Sequence, residues 1–263
     1  MNQLTIADLK VGSKLVFGTY GVGTTLYPIT WLKANKDGEF LSEFVIDILK
    51  FDEVERNNPT YDFRYGGNGD YELSNILQFL NSYEDYWYGP MHEYDAPPGV
   101  LTRPGERLGE YLRHSGFLHE FQDYEIESLV GRVNLPTIAN IFGANGEPKF
   151  PLFNRKGYRG KPTTDLVYSR HGHGLEEWSF CEYWAIGGTN ISYQQSFVGR
   201  DGSKHHTYAE HASGLRPKCK LRPELEVELI SEGVYRTVPF KATKRYGPQI
   251  ATDEELLNLM GLL

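Results

Sequence analysis

The residues best suited to metal chemistry are histidines in the second half of the chain. Five of the eight histidines lie close together there, with Glu176 and Glu177 nearby. The first two histidines are separated by one residue, so on a strand both imidazoles would lie on the same side. Imidazole binds zinc, nickel and iron. We therefore predict a candidate metal site made of His171, His173, His205 and His206.

Two features favour a polar loop over this metal site. Gly172 lies between His171 and His173, and Gly174 follows them, which is typical of a loop. The chain also carries no HExxH motif that would fix a third ligand, and no Asp-x-Asp-x-Asp-Gly loop for calcium. The sequence leaves the metal site and the loop open as alternatives, and we expect no cofactor.

Nucleophilic and redox chemistry find little support in the sequence. The two cysteines, Cys181 and Cys219, have no metal or redox spacing, and we expect both to be reduced and to lie in strands. A bridge between them stays open as the alternative. The chain has no G-x-S-x-G, phosphate-binding loop or dinucleotide motif. We therefore predict that the protein is not an enzyme.

Aromatic residues are the strongest sign of a binding surface. Seven tyrosines lie between Tyr61 and Tyr94, interleaved with glycines and aspartates. Tyrosine on glycine-rich loops gives rigid, amphipathic contact area, which is typical of recognition surfaces and of sites that stack on sugars. The alternative is that most of these rings fill the core. The predicted binding residues are Tyr86, Trp87, Tyr88, Tyr183 and Trp184.

Length and charge narrow the class of protein. A chain of 263 residues can bury a large core without disulfides. The net charge of -8 is spread along the chain, which argues against a nucleic-acid partner despite a basic stretch at 155–161. The first ten residues do not resemble a signal peptide, and no stretch is long enough to span a bilayer. We expect no membrane partner and folding in a cytoplasm.

Periodic segments in the first part of the chain predict the framework. Residues 14–17 and 41–49 are rich in β-branched and aromatic residues, which predicts a strand in each. The turn at 35–38 contains an Asp-Gly step. It predicts that the segments around Thr30 and Leu41 pair as a hairpin.

Helical spacing of apolar residues predicts three helices. The first spans residues 72–83, with Ser74 as its cap, and the second spans residues 120–130. The third is a short helix over residues 137–142, directly after a proline. We expect these helices to flank the sheet.

The end of the chain has elements of its own. Residues 225–230 alternate as a strand does, and a turn leads to a second strand over 235–240, so we predict a terminal hairpin. Thr252 and Glu255 form a capping box that opens a short, largely apolar helix. So short a helix is marginal alone and must dock on its own domain or on a neighbouring chain.

Three stretches in a fixed order resemble a known family. They are Val11–Tyr20, Asn75–Asn81 with its Leu-x-x-Phe-Leu-Asn, and Ser213–Leu221 with its Gly-Leu-Arg-Pro. Their order resembles the domain-of-unknown-function family 6273 of bacteria and phages. It is also similar to the wider C-type-lectin-like folds, which include phage receptor-binding proteins and formylglycine-generating enzymes. The resemblance spans roughly residues 11–221.

The resemblance implies an α+β fold. The expected architecture is a C-type-lectin-like domain of twisted antiparallel strands with two or three flanking helices and a C-terminal hairpin plus helix. We place this domain at residues 1–221 and a possible attachment element at 222–263. One departure is Tyr183–Gly188, where such domains often carry Trp-Trp-x-Arg-Ser. The arginine is absent here, so its role is not carried over.

The resemblance also implies a function. We expect a non-catalytic structural protein of a phage virion, either a capsid decoration or a tail or fibre component, assembled in the host cytoplasm. Its expected partners are other virion proteins or itself as a homo-oligomer, and a glycan or protein of the host surface. The alternatives are an intracellular carbohydrate-binding module, or an enzyme or metal-binding protein with the fold of formylglycine-generating enzymes.

Overall fold

The described residues of the computed structural model are 4–22, 25–99, 111–143, 146–154, 159 and 182–244. They form a mixed α+β fold, as predicted, with two sheets and few helices. The strands are β1 Lys14–Val22, β2 Thr25–Lys33, β3 Glu39–Ser42, β4 Asp47–Lys50, β5 Tyr183–Ala185, β6 Gln194–Val198, β7 Lys204–Tyr208, β8 Ala212–Leu215, β9 Lys218–Lys220, β10 Val227–Ser231 and β11 Val234–Thr237. The helices are α1 Tyr61–Gly66, α2 Asn75–Leu80, α3 Asp123–Ser128 and α4 Ile138–Ile141, with short 3-10 turns at Ile6–Asp8, Tyr71–Leu73 and Pro151–Asn154.

The first sheet has six strands in the order β10-β11-β1-β2-β3-β9. The predicted hairpin is confirmed, because β2 and β3 pair antiparallel with Lys33 opposite Phe40. The Asn35 side chain shapes the turn by accepting hydrogen bonds from the backbone N–H groups of Asp37 (3.0 Å) and Glu39 (3.2 Å). Gly38 supplies the left-handed conformation that the turn requires, with φ +78.

The second sheet has five strands in the order β4-β8-β5-β6-β7. The prediction of one strand over residues 41–49 is therefore wrong, since β3 ends at Ser42 and β4 begins at Asp47 in this other sheet. At the crossing, the N–H of Glu43 still bonds Thr30 of the first sheet (2.7 Å), whereas that of Ile46 bonds Leu215 of the second (2.9 Å). The run is rich in apolar residues because it passes through the core from one sheet to the other.

The three predicted helices are confirmed with shorter bounds. Ser74 caps α2, and its hydroxyl accepts the N–H of Leu77 (3.4 Å). Thr137 likewise caps α4 through the N–H of Asn140 (3.0 Å). α2 buries nearly all of its side chains in the main core, which holds it between the sheets and the loops that follow. No helix in the described part of the chain is long and apolar enough to cross a membrane.

The predicted terminal hairpin is also confirmed. β10 and β11 pair antiparallel, and β11 adds to β1 in parallel, with Lys14 opposite Val234. The segment after Leu221 thus contributes two strands to the first sheet. The boundary placed between residues 221 and 222 stays a prediction, and the helix expected from Thr252 lies outside the described residues.

Candidate functional site

The predicted aromatic residues lie in very different environments. Tyr86 is 93% exposed, Tyr88 is partly buried, and Trp87 is buried. The Trp87 ring stacks on that of Tyr111 with centroids 5.2 Å apart, and its indole N–H donates to the carbonyl of Tyr111 (3.3 Å). These contacts make Trp87 part of the core, whereas the Tyr86 ring is exposed to solvent.

The second predicted pair lies on β5, and both of its side chains are fully buried. The Trp184 indole N–H donates to the carbonyl of Leu49 (2.8 Å). The Tyr183 ring lies 4.8 Å below the guanidinium carbon of Arg216, which is itself buried and belongs to the Gly-Leu-Arg-Pro stretch. Arg216 also donates from Nε to the carbonyl of Ser42 (3.0 Å). The environments of Tyr183 and Trp184 therefore indicate packing between the sheets.

The most exposed aromatic pair among the described residues lies on α1. Tyr61 and Tyr65 are four residues apart, so they lie on one face of the helix. Their side chains are 64% and 63% exposed, and the ring centroids are 4.6 Å apart with the ring planes tilted by 40°. Two large rings are thus in contact with each other and open to solvent.

A second tyrosine pair lies beside the end of α1. The rings of Tyr193 and Tyr208 are 5.7 Å apart, and Tyr208 is 43% exposed. Gly66 lies against both: a Cβ placed on it would be 3.0 Å from Tyr193 Cδ2 and 3.2 Å from Tyr208 Cδ1. A larger residue would have to displace both rings by a few tenths of an ångström, so glycine favours this close approach of α1. We call Tyr61, Tyr65, Tyr193 and Tyr208 the tyrosine surface.

Charged and polar groups border the tyrosine surface. The guanidinium carbon of Arg64 lies 5.7 Å from the centre of the Tyr61 ring. On the other side, His211 packs edge-on against Tyr208 (5.4 Å), and its Nε2 lies 3.2 Å from a carboxylate oxygen of Glu210. Aromatic rings with such a polar border can contact a partner that has both apolar and hydrogen-bonding groups.

A buried carboxyl group holds the chain beneath this surface. Asp52 is 1% exposed and accepts the backbone N–H groups of Asn68 and Asn75, each at 3.0 Å. Burial raises the pKa of Asp52 well above its usual value, and the two N–H groups offset part of this shift. Because Asn68 follows α1 and Asn75 begins α2, one side chain fixes both helices. The end of the α1 segment and the start of α2 are therefore tied to the same buried carboxyl group.

A groove beside α2 is the second candidate site. It has a volume of about 400 Å³, and Trp87 is among the residues that line it. Met91 at its edge is 44% exposed. The other lining residues are Glu72, Leu77, Gln78, Asn81, Ser82, Tyr83, Glu84 and Arg132. We call this cavity the tryptophan groove.

Of the four histidines predicted to bind metal, His205 and His206 are described, and the fold does not bring their side chains together. His205 and His206 are consecutive on β7, so their side chains point to opposite faces. His205 stacks on Phe197 (5.2 Å), whereas His206 Nδ1 lies 3.1 Å from Ser196 Oγ. Burial lowers the pKa of His206. His171 and His173 lie outside the described residues, and the described ones contain no group of three or more suitable ligands.

A serine, a histidine and an aspartate meet near β7, but in the wrong order for nucleophilic catalysis. Ser203 Oγ lies 2.5 Å from Asp201 Oδ1 and 2.6 Å from His205 Nε2. In a catalytic triad the imidazole lies between the hydroxyl and the carboxylate. Here the hydroxyl lies in the middle and can donate its proton to the carboxylate. This geometry gives no activated nucleophile.

Cys219 lies in a strand, as predicted. Cys219 is buried in β9 as a free thiol, and burial raises its pKa. A thiol with a raised pKa is a poor nucleophile at neutral pH. Because Cys219 is free, the alternative of a bridge between the two cysteines is not supported, and Cys181 itself lies outside the described residues.

The sequence contained one signal for the tyrosine surface that the prediction did not use. Tyr61 and Tyr65 have the spacing of one helix face, and both lie in the tyrosine-rich stretch that was identified. No local pattern links Tyr193 and Tyr208 to them, because the connection depends on the long-range packing of Gly66. No protein-family model, no curated protein and no solved structure matches this chain.

Proposed function

We propose that this protein is a non-catalytic recognition and structural component of a phage particle, and that it contacts the host surface through the tyrosine surface. The observation that carries the proposal is the pair Tyr61 and Tyr65, whose rings contact each other and are each more than 60% exposed on α1. Exposed rings of this size are rarely grouped on a protein that has no partner.

The physics of tyrosine favours a recognition role for this pair. A tyrosine ring buries a large area on contact and loses little side-chain entropy, because it has only two rotatable bonds. The buried Asp52 fixes the segments next to α1 in advance, so a partner does not have to order them. Both effects lower the free-energy cost of binding.

The particle role and the C-type-lectin-like architecture rest on the order of the three sequence stretches. In the fold these stretches supply β1, α2, and β8 with β9. The rings of Tyr20 and Phe79, from the first and second stretches, meet in the core with centroids 6.4 Å apart. Packing of these stretches into one core supports the proposal that they form a common structural unit.

Edge strand β10 supports a contact with other subunits. Leu229 is 61% exposed and Ile230 is 48% exposed, on a strand that pairs with β11 alone among the named strands. The N-terminal segment covers the start of this edge, since the N–H of Val227 donates to the carbonyl of Leu4 (2.9 Å). Exposed apolar side chains farther along an edge strand favour pairing with another chain. We therefore expect a homo-oligomer. Light scattering tests this part: a native mass of one chain at every concentration and salt level would contradict it.

Binding to cells tests the recognition part. Purified protein is sedimented with intact cells from a panel of bacteria, and the bound fraction is measured against protein concentration. The double variant Tyr61→Ala/Tyr65→Ala should bind at least about tenfold more weakly than wild type. Truncation of an aromatic side chain at the centre of an interface typically costs about 2 kcal/mol or more of binding free energy. The matched control is Tyr86→Ala, which removes an exposed ring elsewhere. Equal binding by both variants would refute the role of the pair.

A further inference from the structure

Strand β7 lies at the edge of the second sheet, with β6 as its neighbour. Apart from its bonds to β6, its backbone makes one hydrogen bond to the described residues, from the N–H of His211 to the carbonyl of Tyr208 (3.2 Å) in the turn that ends the strand. The side chains of β7 are exposed on both faces, and only Thr207 is partly buried. An edge strand with unpaired N–H and C=O groups can pair with another chain.

The hydrogen bonds between β6 and β7 show which groups face outwards. The N–H of Ala209 donates to the carbonyl of Tyr193 (3.1 Å), and the N–H of Gly199 donates to the carbonyl of Ser203 (2.8 Å). The odd-numbered residues of β7 therefore bond β6. In an antiparallel pair they alternate with residues whose N–H and C=O groups point away from the neighbour. The outward-facing residues are Lys204, His206 and Tyr208.

A second copy of β7 fits this edge best in one antiparallel register. The outward-facing residues must lie opposite one another, because only they offer backbone groups to a new strand. With His206 opposite its own copy, Lys204 lies opposite Tyr208 of the second copy, so all three residues find partners. A shift of two residues in either direction leaves one of the three without a partner. Backbone pairing therefore favours the register centred on His206.

The side chains favour the same register. Those of Lys204, His206 and Tyr208 lie on one face of the strand, because side chains alternate. A lysine on an edge strand commonly opposes pairing. In this register, however, the ammonium group of Lys204 lies beside the Tyr208 ring of the second copy, and such a contact is attractive. A register with Lys204 opposite its own copy would instead bring like charges together.

We propose that two copies of this chain pair through β7, antiparallel and with His206 at the two-fold axis, so that their second sheets become continuous. The same patch serves both copies, as a two-fold contact requires. The axis of an antiparallel pair is perpendicular to the sheet, so each face stays on its own side. Tyr208 belongs to the tyrosine surface, and the dimer therefore presents two such surfaces in one direction.

This arrangement adds a second contact to the one expected at β10, which lies in the first sheet. Two tyrosine surfaces on one face can engage two sites on a cell, which raises the overall strength of binding. The inference rests on the proposed function only for this consequence. Pairing through β7 is measured on the purified protein.

Cysteine cross-linking tests the pairing at one defined position. Opposite residues that exchange backbone hydrogen bonds have Cα atoms about 5.5 Å apart, within the range that a disulfide spans. In a Cys181→Ser background, His206→Cys should therefore convert largely to a covalent dimer when oxidised glutathione is added. The matched control is Lys220→Cys, because Lys220 is also exposed on a strand, β9 of the first sheet. It should remain a single chain on a non-reducing gel.

A proline variant tests the contact without a cysteine. The N–H of residue 206 points away from β6, so His206→Pro removes an outward donor and leaves the bonds between β6 and β7 in place. By light scattering at equal protein concentration, the native mass of this variant should be half that of wild type. A urea unfolding midpoint near that of wild type shows that the variant is folded.

Several results would overturn the β7 contact. They are equal cross-linking of the two cysteine variants, no cross-linking of His206→Cys, or an unchanged native mass for folded His206→Pro. Leu229→Lys, which acts on β10, separates this contact from the one in the proposed function. If Leu229→Lys alone lowers the native mass, the β10 contact stands and the β7 contact fails. If His206→Pro alone lowers it, the reverse holds, and if neither does, both contacts fail.

Discussion

Asp52 shows how a single residue can serve the fold while resembling a catalytic group. Its carboxyl group is buried and has a raised pKa, which in many enzymes marks an acid or base. Both oxygens, however, accept backbone N–H groups, from Asn68 and Asn75. The two oxygens are thus used to connect the end of α1 with the start of α2.

Asp52→Asn should destabilise the protein by about 1–3 kcal/mol at acidic pH, because the new NH₂ group faces a backbone N–H donor. The raised pKa means that, above pH 3.8, folded wild type keeps a proton that the unfolded chain has lost. The Asp52 carboxyl therefore contributes its full share of the wild-type stability below that pH, and this share is lost as the pH rises through the pKa of the folded state. In urea unfolding, the difference in free energy of unfolding between wild type and Asp52→Asn should become smaller as the pH rises. A difference that grows would contradict this account.

Truncation of the neighbouring residues Tyr86 and Trp87 should change stability by very different amounts. Trp87→Ala should cost about 3–5 kcal/mol, because it empties a buried site between Tyr111 and Phe79. Tyr86→Ala should change stability by less than about 0.5 kcal/mol, since the ring is 93% exposed. Thermal or urea unfolding of the two variants measures the contrast, and similar losses would show that the described packing is wrong.

The sequence identified the tyrosine-rich stretch but not the exposure of each ring. Composition indicates that aromatic residues are abundant, whereas exposure depends on which way each side chain points after folding. Tyr86 and Trp87 are adjacent and differ almost completely in exposure. Predictions from residue type alone could not separate them.

Helices were predicted well because their signals are local. The apolar spacing of α2 and its cap Ser74 lie within one short segment, and both are confirmed. The strand predicted over 41–49 failed because its signal, richness in β-branched and aromatic residues, is the same for one strand and for two strands in different sheets. Only the hydrogen bonds to distant partners decide between them.

The two caps of this region should differ in their contribution to stability. Ser74→Ala should cost about 1–2 kcal/mol, because the buried hydroxyl accepts the N–H of Leu77 and donates to the carbonyl of Tyr71 (2.8 Å). Thr60→Ala at the start of α1 is the matched control, since Thr60 makes no side-chain cap bond. Urea unfolding compares them, and an equal cost would argue against the cap at Ser74.

At the scale of the whole molecule, long-range pairing decides the architecture. The parallel pairing of β11 with β1 joins residues near both ends of the described chain. No local pattern specifies this pairing, because either strand could form its backbone hydrogen bonds with any available edge strand. The predicted helices and strands were enough to assign the α+β class. They were not enough to predict the order of the strands in the two sheets.

The reactivity of Cys219 should report on opening of the whole fold. The thiol is buried in β9, at the edge of the first sheet and within the main core. In a Cys181→Ser variant, reaction with a thiol reagent should be slower than in denaturant by about a thousandfold or more, given a global stability of about 5 kcal/mol. Fast reaction under native conditions would mean that this part of the core opens independently.

Footprinting of tyrosines on the bound protein tests the central claim most directly. Tyrosine nitration is measured by mass spectrometry for the free protein and for protein bound to a cell that retains it. We predict that Tyr61 and Tyr65 become protected on binding, while Tyr86 reacts equally in both states and serves as the internal control. Protection of Tyr86 with unchanged reaction at Tyr61 and Tyr65 would contradict the assignment of the tyrosine surface as the recognition site.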